Sequence, residues 1–378
     1  MNHAGRIERL RAEMQNQGVA AVFLPLDACL EYFTGAPRAT TTNTCTRQNS
    51  AEYASLLITD REVMYLNSRL SAMGILAKKD QYPLITQAIP FPDLDLDGKT
   101  FIDVCTKLGL KGKKLAFLQD IRSTLVLRLL QELAVSWVNF DPVVQQMRAI
   151  KDADEQLLMR KAAAINDKIY DTIFPQLQSG TVVEEITREI DRLMQVFGAE
   201  TTSFSTSVMN FGPSAGASYG QYYPVLQRGY VLAFDYGVLR QGYCSDFGRT
   251  VFIGEPAPDL IKAHELVMAA QKEAIAAMKA GKVNGEDLNR LARQVIIKGG
   301  YDEEFGHRLG HGIGKDVHER PFLADGEKRV LETGMFFTVE PSIYLPYRSL
   351  IRVEDVVMVT PNGGENLNST TWDLVVIE

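Results

Sequence analysis

Val231-Leu-Ala-Phe-Asp235-Tyr-Gly-Val-Leu-Arg240-Gln-Gly-Tyr-Cys-Ser245-Asp246-Phe-Gly-Arg-Thr250-Val-Phe-Ile253 decides the fold of this 378-residue chain. Its flanks are apolar and β-branched, its middle is a turn, and two carboxylates sit inside its strands. A turn centred on Arg240-Gln241 places Asp235 opposite Asp246, because positions equidistant from a hairpin turn face one another. Met335–Val359 repeats the pattern. A turn over Pro346-Tyr347-Arg348, centred on Tyr347, sets Glu340 opposite Glu354. Side chains alternate along a strand, so Ser342, Tyr344, Leu350 and Arg352 share the face of the two glutamates.

Opposed carboxylates have Cβ atoms roughly 4.5–5.5 Å apart and repel one another. Val231, Leu232, Ala233, Phe234, Phe336, Phe337, Val339, Ile351 and Val353 mark these strands as buried. The acids therefore also lose hydration, and a lone buried charge does not persist. One such pair on a half-exposed strand would be ordinary. Two in matching register, with His307, His311 and His318 between them, call for cations. Four carboxylates and one imidazole, with no Cys-x-x-Cys nearby, suit manganese, cobalt, iron or zinc better than copper or an iron–sulfur cluster. Four anionic groups balance two divalent ions, which in two-metal sites stand about 3.5–4 Å apart and activate water against a polarised carbonyl. The implied chemistry is hydrolysis.

At these residues the chain resembles the pita-bread-fold metallopeptidases that include methionine aminopeptidase, prolidase and aminopeptidase P. Phe234-Asp235-Tyr236-Gly237, Tyr243-Cys244-Ser245-Asp246 and Arg249-Thr250 are similar to the family's two-aspartate signature. His307-Arg-Leu-Gly-His311-Gly-Ile-Gly-Lys-Asp-Val-His318-Glu-Arg-Pro321 is similar to its histidine signature. Val339-Glu340-Pro341 and Arg352-Val353-Glu354-Asp355 resemble its glutamate signatures. The resemblance implies Asp235, Asp246, His311, Glu340 and Glu354 as ligands of two divalent ions, manganese first, with Asp246 and Glu354 bridging. It implies that His318 contacts the scissile group, that His307 lines the substrate pocket, and that Glu340 helps to shuttle a proton. Tyr344 and Arg352 resemble a tyrosine–arginine pair near the site.

The rest of the chain narrows the resemblance. About 150 residues precede the acidic hairpins' domain, and they read as a separate α/β unit. Ile7–Gln17 is an amphipathic helix, Ala20–Pro25 a strand, Tyr53–Leu66 two strands around Thr59-Asp60-Arg61, Lys114–Leu118 a strand and Thr124–Leu133 a helix. Tyr32-Phe33-Thr34-Gly35 is similar to a motif in the N-terminal domains of prolidases, aminopeptidases P and creatinases. A long helix opens near Lys151–Glu155, with Leu157, Leu158, Ala162, Ile165 and Ile169 as its apolar face. The expected fold class is α/β (α+β): a creatinase-like N-terminal domain over 1–150, then a pita-bread catalytic domain over 151–378. The family's pseudo-twofold fold implies that the two acidic hairpins are structural counterparts.

Composition fits a cytoplasmic enzyme. A net charge of −7 without a basic stripe argues against nucleic acid as substrate. Cys29, Cys45, Cys105 and Cys244 are scattered and predict no disulfide framework, with Cys244 a small packing residue. The N-terminus is too charged for a signal peptide, and no 18-residue apolar run predicts a membrane span. His3 and His264 lie in polar helical contexts and read as solvated; Met209 and Phe211 read as core and turn residues. In the peptidases a substrate-binding histidine follows a Gly-Pro-Asn-like turn. Here Gly212-Pro213-Ser214-Ala215-Gly216-Ala217-Ser218-Tyr219 puts Tyr219 in that place, as a neutral phenol or as a packing residue. The expected function is cleavage of Xaa-Pro bonds, in dipeptides or at the N-terminus of short peptides, by a hydroxide bridging two metal ions. The alternatives are a creatinase-like non-peptide C–N hydrolase or lyase, permitted by Tyr219, and last a binding module without catalysis. Relatives' habits imply a homodimer acting on small peptides.

Overall fold

The chain divides into two units, Met1–Met147 and Arg148–Glu378, in a computed structural model that describes all residues except 39–51, 94, 96, 213–221 and 346–347. In the first unit, strand Ala21–Leu24 is buried along its whole length, because successive side chains enter different cores. Val22 and Leu24 pack with Ile7, Leu10 and Met14 of helix His3–Asn16. Ala21 and Phe23 pack with Phe101, Leu125 and Leu129 on the other face. A sheet covered on both faces reads as a continuous apolar run, which is the pattern of this strand. The sheet has six strands in the order Gln87–Phe91, Val63–Ser68, Ser55–Thr59, Ala21–Leu24, Lys114–Phe117 and Ser136–Asn139. Parallel and antiparallel pairs are mixed.

The second unit opens on helix Ala153–Ile173, begun by a capping box in which Asp152 and Glu155 each satisfy the other's backbone N–H. Its buried face is Leu158, Ala162, Ile165 and Ile169; Leu157, expected on that face, is 52% exposed. The helix steps 100° per residue, so two adjacent leucines cannot share a narrow stripe. One four-stranded sheet holds Val231–Tyr236 paired with Phe247–Ile253, flanked by Ser207–Phe211 and Val375–Ile377. A five-stranded sheet holds Gly310–Gly312, Phe336–Val339 and Asp355–Thr360 among its strands. Helices Pro258–Ala277 and Gly285–Lys298 cover the core with Leu260, Ala263, Val267, Ala270, Leu288 and Ala292.

The second acidic hairpin has the expected register: Ser342 opposes Arg352, Leu345 opposes Ser349, and beyond the break Val339 opposes Asp355. The first departs from expectation. Its turn is Gln241-Gly242, both with positive φ, 49° and 74°. Two positive-φ residues make the hairpin turn whose twist matches the strands, and glycine fits its second position. Moving the turn centre by one residue slides the pairing by two, so Asp235 faces Gly248 rather than Asp246. A slip of two keeps every side chain on its face, and the two aspartates still converge. His264 also departs from expectation. It is 1% exposed on helix Pro258–Ala277 with its ring edge-on to Phe252, and burial pushes its pKa down to about 4. Met209 and Phe211 do pack on the core. Among the described residues no helix is long and apolar enough to cross a membrane.

Candidate metal centre

Interruptions in the strands bring the acids together. Asp235 lies within Val231–Tyr236. Asp246 sits in the gap between Tyr243–Cys244 and Phe247–Ile253. Glu340 follows Phe336–Val339, and Glu354 falls between Ser349–Arg352 and Asp355–Thr360. His311 is central in Gly310–Gly312, where the pairing with Glu319–Leu323 shifts register. Such irregularities re-aim side chains that strict alternation would fix. The two hairpins touch through Gly248, whose backbone bridges Glu354. A Cβ at Gly248 would lie 2.9 Å from Glu354 Oε2 and 3.1 Å from Arg352 Cδ, so any larger residue there would push these side chains aside.

Asp246 is 4% exposed, His311 2%, Glu340 8% and Glu354 1%. Among the described residues no group donates to the buried Asp246 Oδ1 or Glu354 Oε2. Burial, and then the neighbouring carboxylates, push Asp246 and Glu354 well above the usual carboxylate range. Asp235 is raised by burial, partly offset by Arg352, whose Nη1 donates to Asp235 Oδ2 at 2.7 Å. The Arg352 guanidinium also stands 3.8 Å from Glu340 and from Glu354. Among the described residues Arg352 is the cation paired with these acids, one charge against four carboxylates.

His311 Nδ1–H donates to the Gly312 carbonyl at 3.1 Å, which leaves the Nε2 lone pair facing Asp246 at 3.6 Å and Glu340 at 3.5 Å. Burial lowers the His311 pKa to about 3, so the ring is neutral. Asp246, His311 and Glu354 offer ligand atoms all within 4.8 Å of one another. Orphaned carboxylate oxygens, a neutral imidazole with a free lone pair and a deficit of cations fit divalent metal ions.

These groups line a cleft of about 330 Å³ together with Phe204, His307, Arg308, Val317, His318 and Arg352. The His318 ring lies 4.2 Å from that of His311, edge to face. His307 Nδ1–H donates to the Arg308 carbonyl at 2.7 Å, and among the described residues its buried Nε2 has no partner. Burial first lowers the pKa of both rings, helped by Arg352 at His307 and by Arg308 at His318. Tyr344 is not among the lining residues; it is half-buried and packs against the core. In the hairpin Ser342–Leu345/Ser349–Arg352 it stands opposite Leu350. Tyr219 lies outside the described residues. Cys244 is buried among apolar side chains.

Two supports were not assigned from sequence. Arg249 Nη1 donates to the Gly248 and Glu354 carbonyls at 2.8 Å each, and its Nη2 to Asp355 Oδ1 at 2.7 Å. Asp355 is fully buried and also accepts from Gln271, Asn366 and Trp372. The backbone at Glu354 is therefore held from behind. Arg249 and Asp355 stand inside the sequence signatures, but no spacing says that they meet.

Residues 157–361 match metallopeptidase family M24, and residues 6–150 match the creatinase/prolidase N-terminal domain. An Xaa-Pro dipeptidase of Pyrococcus horikoshii is 34% identical over 235 residues, 62% of this chain and 67% of the relative. Prolidase from Thermococcus sibiricus superposes with a TM-score of 0.88 at 28% identity, covering 100% of both chains. An X-Pro aminopeptidase from Thermotoga maritima does so at 0.82 and 27% identity, covering 98% of this chain and 99% of that one. With that buried acid–imidazole centre and both sequence matches, the chain belongs to metallopeptidase family M24, behind a creatinase/prolidase-type N-terminal domain.

Proposed function

We propose that this chain hydrolyses the bond before proline in short peptides, Xaa-Pro dipeptides first among them, with residues 151–378 carrying the chemistry. The observation that carries the reading is the pair of donor-less buried oxygens, Asp246 Oδ1 and Glu354 Oε2, beside the His311 lone pair. The names of the P. horikoshii and T. sibiricus relatives support the substrate class. On this reading Asp235, Asp246, His311, Glu340 and Glu354 would hold two divalent ions. The ions would activate water and polarise the peptide carbonyl.

The chain's own residues do the rest. His318, beside His311 at the cleft wall, hydrogen-bonds the reacting carbonyl. His307 offers its buried Nε2 to a substrate N–H, since its Nδ1 proton is committed to Arg308. Glu340 takes the proton of the attacking water and passes it to the leaving nitrogen. Arg352 donates to Asp235 and opposes the burial that raises its pKa. An oxygen-rich donor set favours manganese among the candidates. Scattered cysteines support a cytoplasmic setting, and the family resemblance supports a homodimer.

Metal content of protein purified without chelator should approach two divalent ions per chain. With manganese added, Xaa-Pro dipeptides should turn over and matched dipeptides lacking proline should not. Equal turnover of both peptide sets, or protein with no affinity for divalent ions, would set the reading aside.

A further inference from the structure

His318 rides on a loop gathered around one buried carboxylate that the proposed chemistry does not use. Glu319, the next residue, is 7% exposed. Its Oε1 accepts the backbone N–H groups of Lys315 at 2.9 Å and Asp316 at 3.2 Å, and a hydrogen bond from Arg148 Nη2. Its Oε2 accepts from Lys151 Nζ at 3.0 Å. Arg148 Nη2 also donates to Asp316 Oδ2 at 2.6 Å. Burial alone would raise the Glu319 pKa, but Arg148 and Lys151 hold it at about 2. The packing leaves no slack: a Cβ at Gly314 would stand 2.8 Å from both Glu319 Oε2 and Lys151 Cε. Replacing a buried ion cluster by apolar groups is often neutral for stability, so stability alone does not account for this one. What the cluster does fix is the path of residues 314–319, and that path carries Val317 and His318 to the cleft.

We propose that Glu319, clamped by Arg148 and Lys151, is a positioning residue that sets the His318 imidazole against the substrate's reacting carbonyl. The inference rests on the role given to His318 above. Removing the charge loosens the loop without touching a metal ligand, and a misplacement near 1 Å can cost about 10²-fold in rate.

The test is Glu319→Gln in the full-length, metal-loaded enzyme. For an Xaa-Pro dipeptide, kcat should fall about 10–100-fold, with KM and bound metal unchanged. Adding Lys151→Met removes the stranded cation. Thermal stability should then recover while kcat does not, since the amide cannot hold Arg148 as the carboxylate does. A kcat that stays at the wild-type level, or that recovers together with stability, would overturn the proposal. Should Glu319→Gln not fold, Arg148→Lys and Arg148→Met replace it: kcat should fall more in Met than in Lys, and equal values overturn the proposal. A second readout is independent of activity. The chain has five histidines, so the ring signals of ¹³C-histidine-labelled protein can be assigned with His318→Ala. The His318 signal should shift and broaden in Glu319→Gln while that of His264 stays; an unmoved His318 signal overturns the positioning role. Wild-type enzyme that cleaves no Xaa-Pro peptide would instead sink the substrate reading and leave the ring signals to judge the clamp.

Discussion

At the scale of single residues, the centre depends on one missing side chain. Gly248 lets Glu354 and Arg352 approach the strand that carries Asp235. Gly248→Ala should push Glu354 off its position and weaken metal binding about 10–100-fold, as losses behind a metal ligand do. Competition with a chelator measures this, and an unchanged affinity would mean that the contact is soft. Glu354→Ala should lose metal and turnover together; full occupancy in that variant would show that Glu354 is not shared by two ions. His318→Ala should keep its metal while kcat drops roughly 10²–10⁴-fold. Normal turnover there would remove His318 from the chemistry.

Elements were more legible than their details. The start of the long catalytic helix is written as Asp152-Ala-Asp-Glu155, and the capping box forms between those two acids. Asp152→Ala should cost about 1 kcal/mol, read as a lowered denaturation midpoint of the second unit. No loss would mean that helix packing alone sets the start. Four of the six strands of the first unit fall within a residue or two of their sequence positions, because apolar runs bounded by turn residues leave little choice, whereas Gln87–Phe91 and Ser136–Asn139, only partly apolar edge strands, were not read from the sequence. The first acidic hairpin was misplaced because turn type, not hydrophobic pattern, sets register. Arg240-Gln241 and Gln241-Gly242 are equally polar, and only the left-handed backbone at both Gln241 and Gly242 separates them.

For the molecule as a whole, buried titratable groups tie stability to pH. His264 sits neutral in the core with its pKa lowered from 6.5 to about 4. The unfolded chain therefore binds a proton between those values that the folded chain refuses. Stability from this group is complete above pH 6.5 and lost as pH falls toward 4, by up to about 3 kcal/mol. His264→Gln, which cannot titrate, should flatten the difference in denaturation midpoint between pH 7.5 and pH 4.5. An equal slope in both proteins would exclude His264 as its source. Glu319 acts lower on the scale: its depressed pKa gives stability above the ordinary glutamate range that drains as pH falls to about 2.

Sequence alone pointed to the two-unit plan and the buried acidic hairpins, because burial, alternation and the mutual repulsion of carboxylates act locally and leave marks at fixed spacing. Only the tertiary structure decided that Asp235 faces Gly248, that His264 enters the core, and that Arg249 meets Asp355 and Arg148 meets Glu319. Arg249 and Asp355 are 106 residues apart in the chain, and Arg148 and Glu319 171. Their meeting depends on how the sheets and helices pack, and no local periodicity records it.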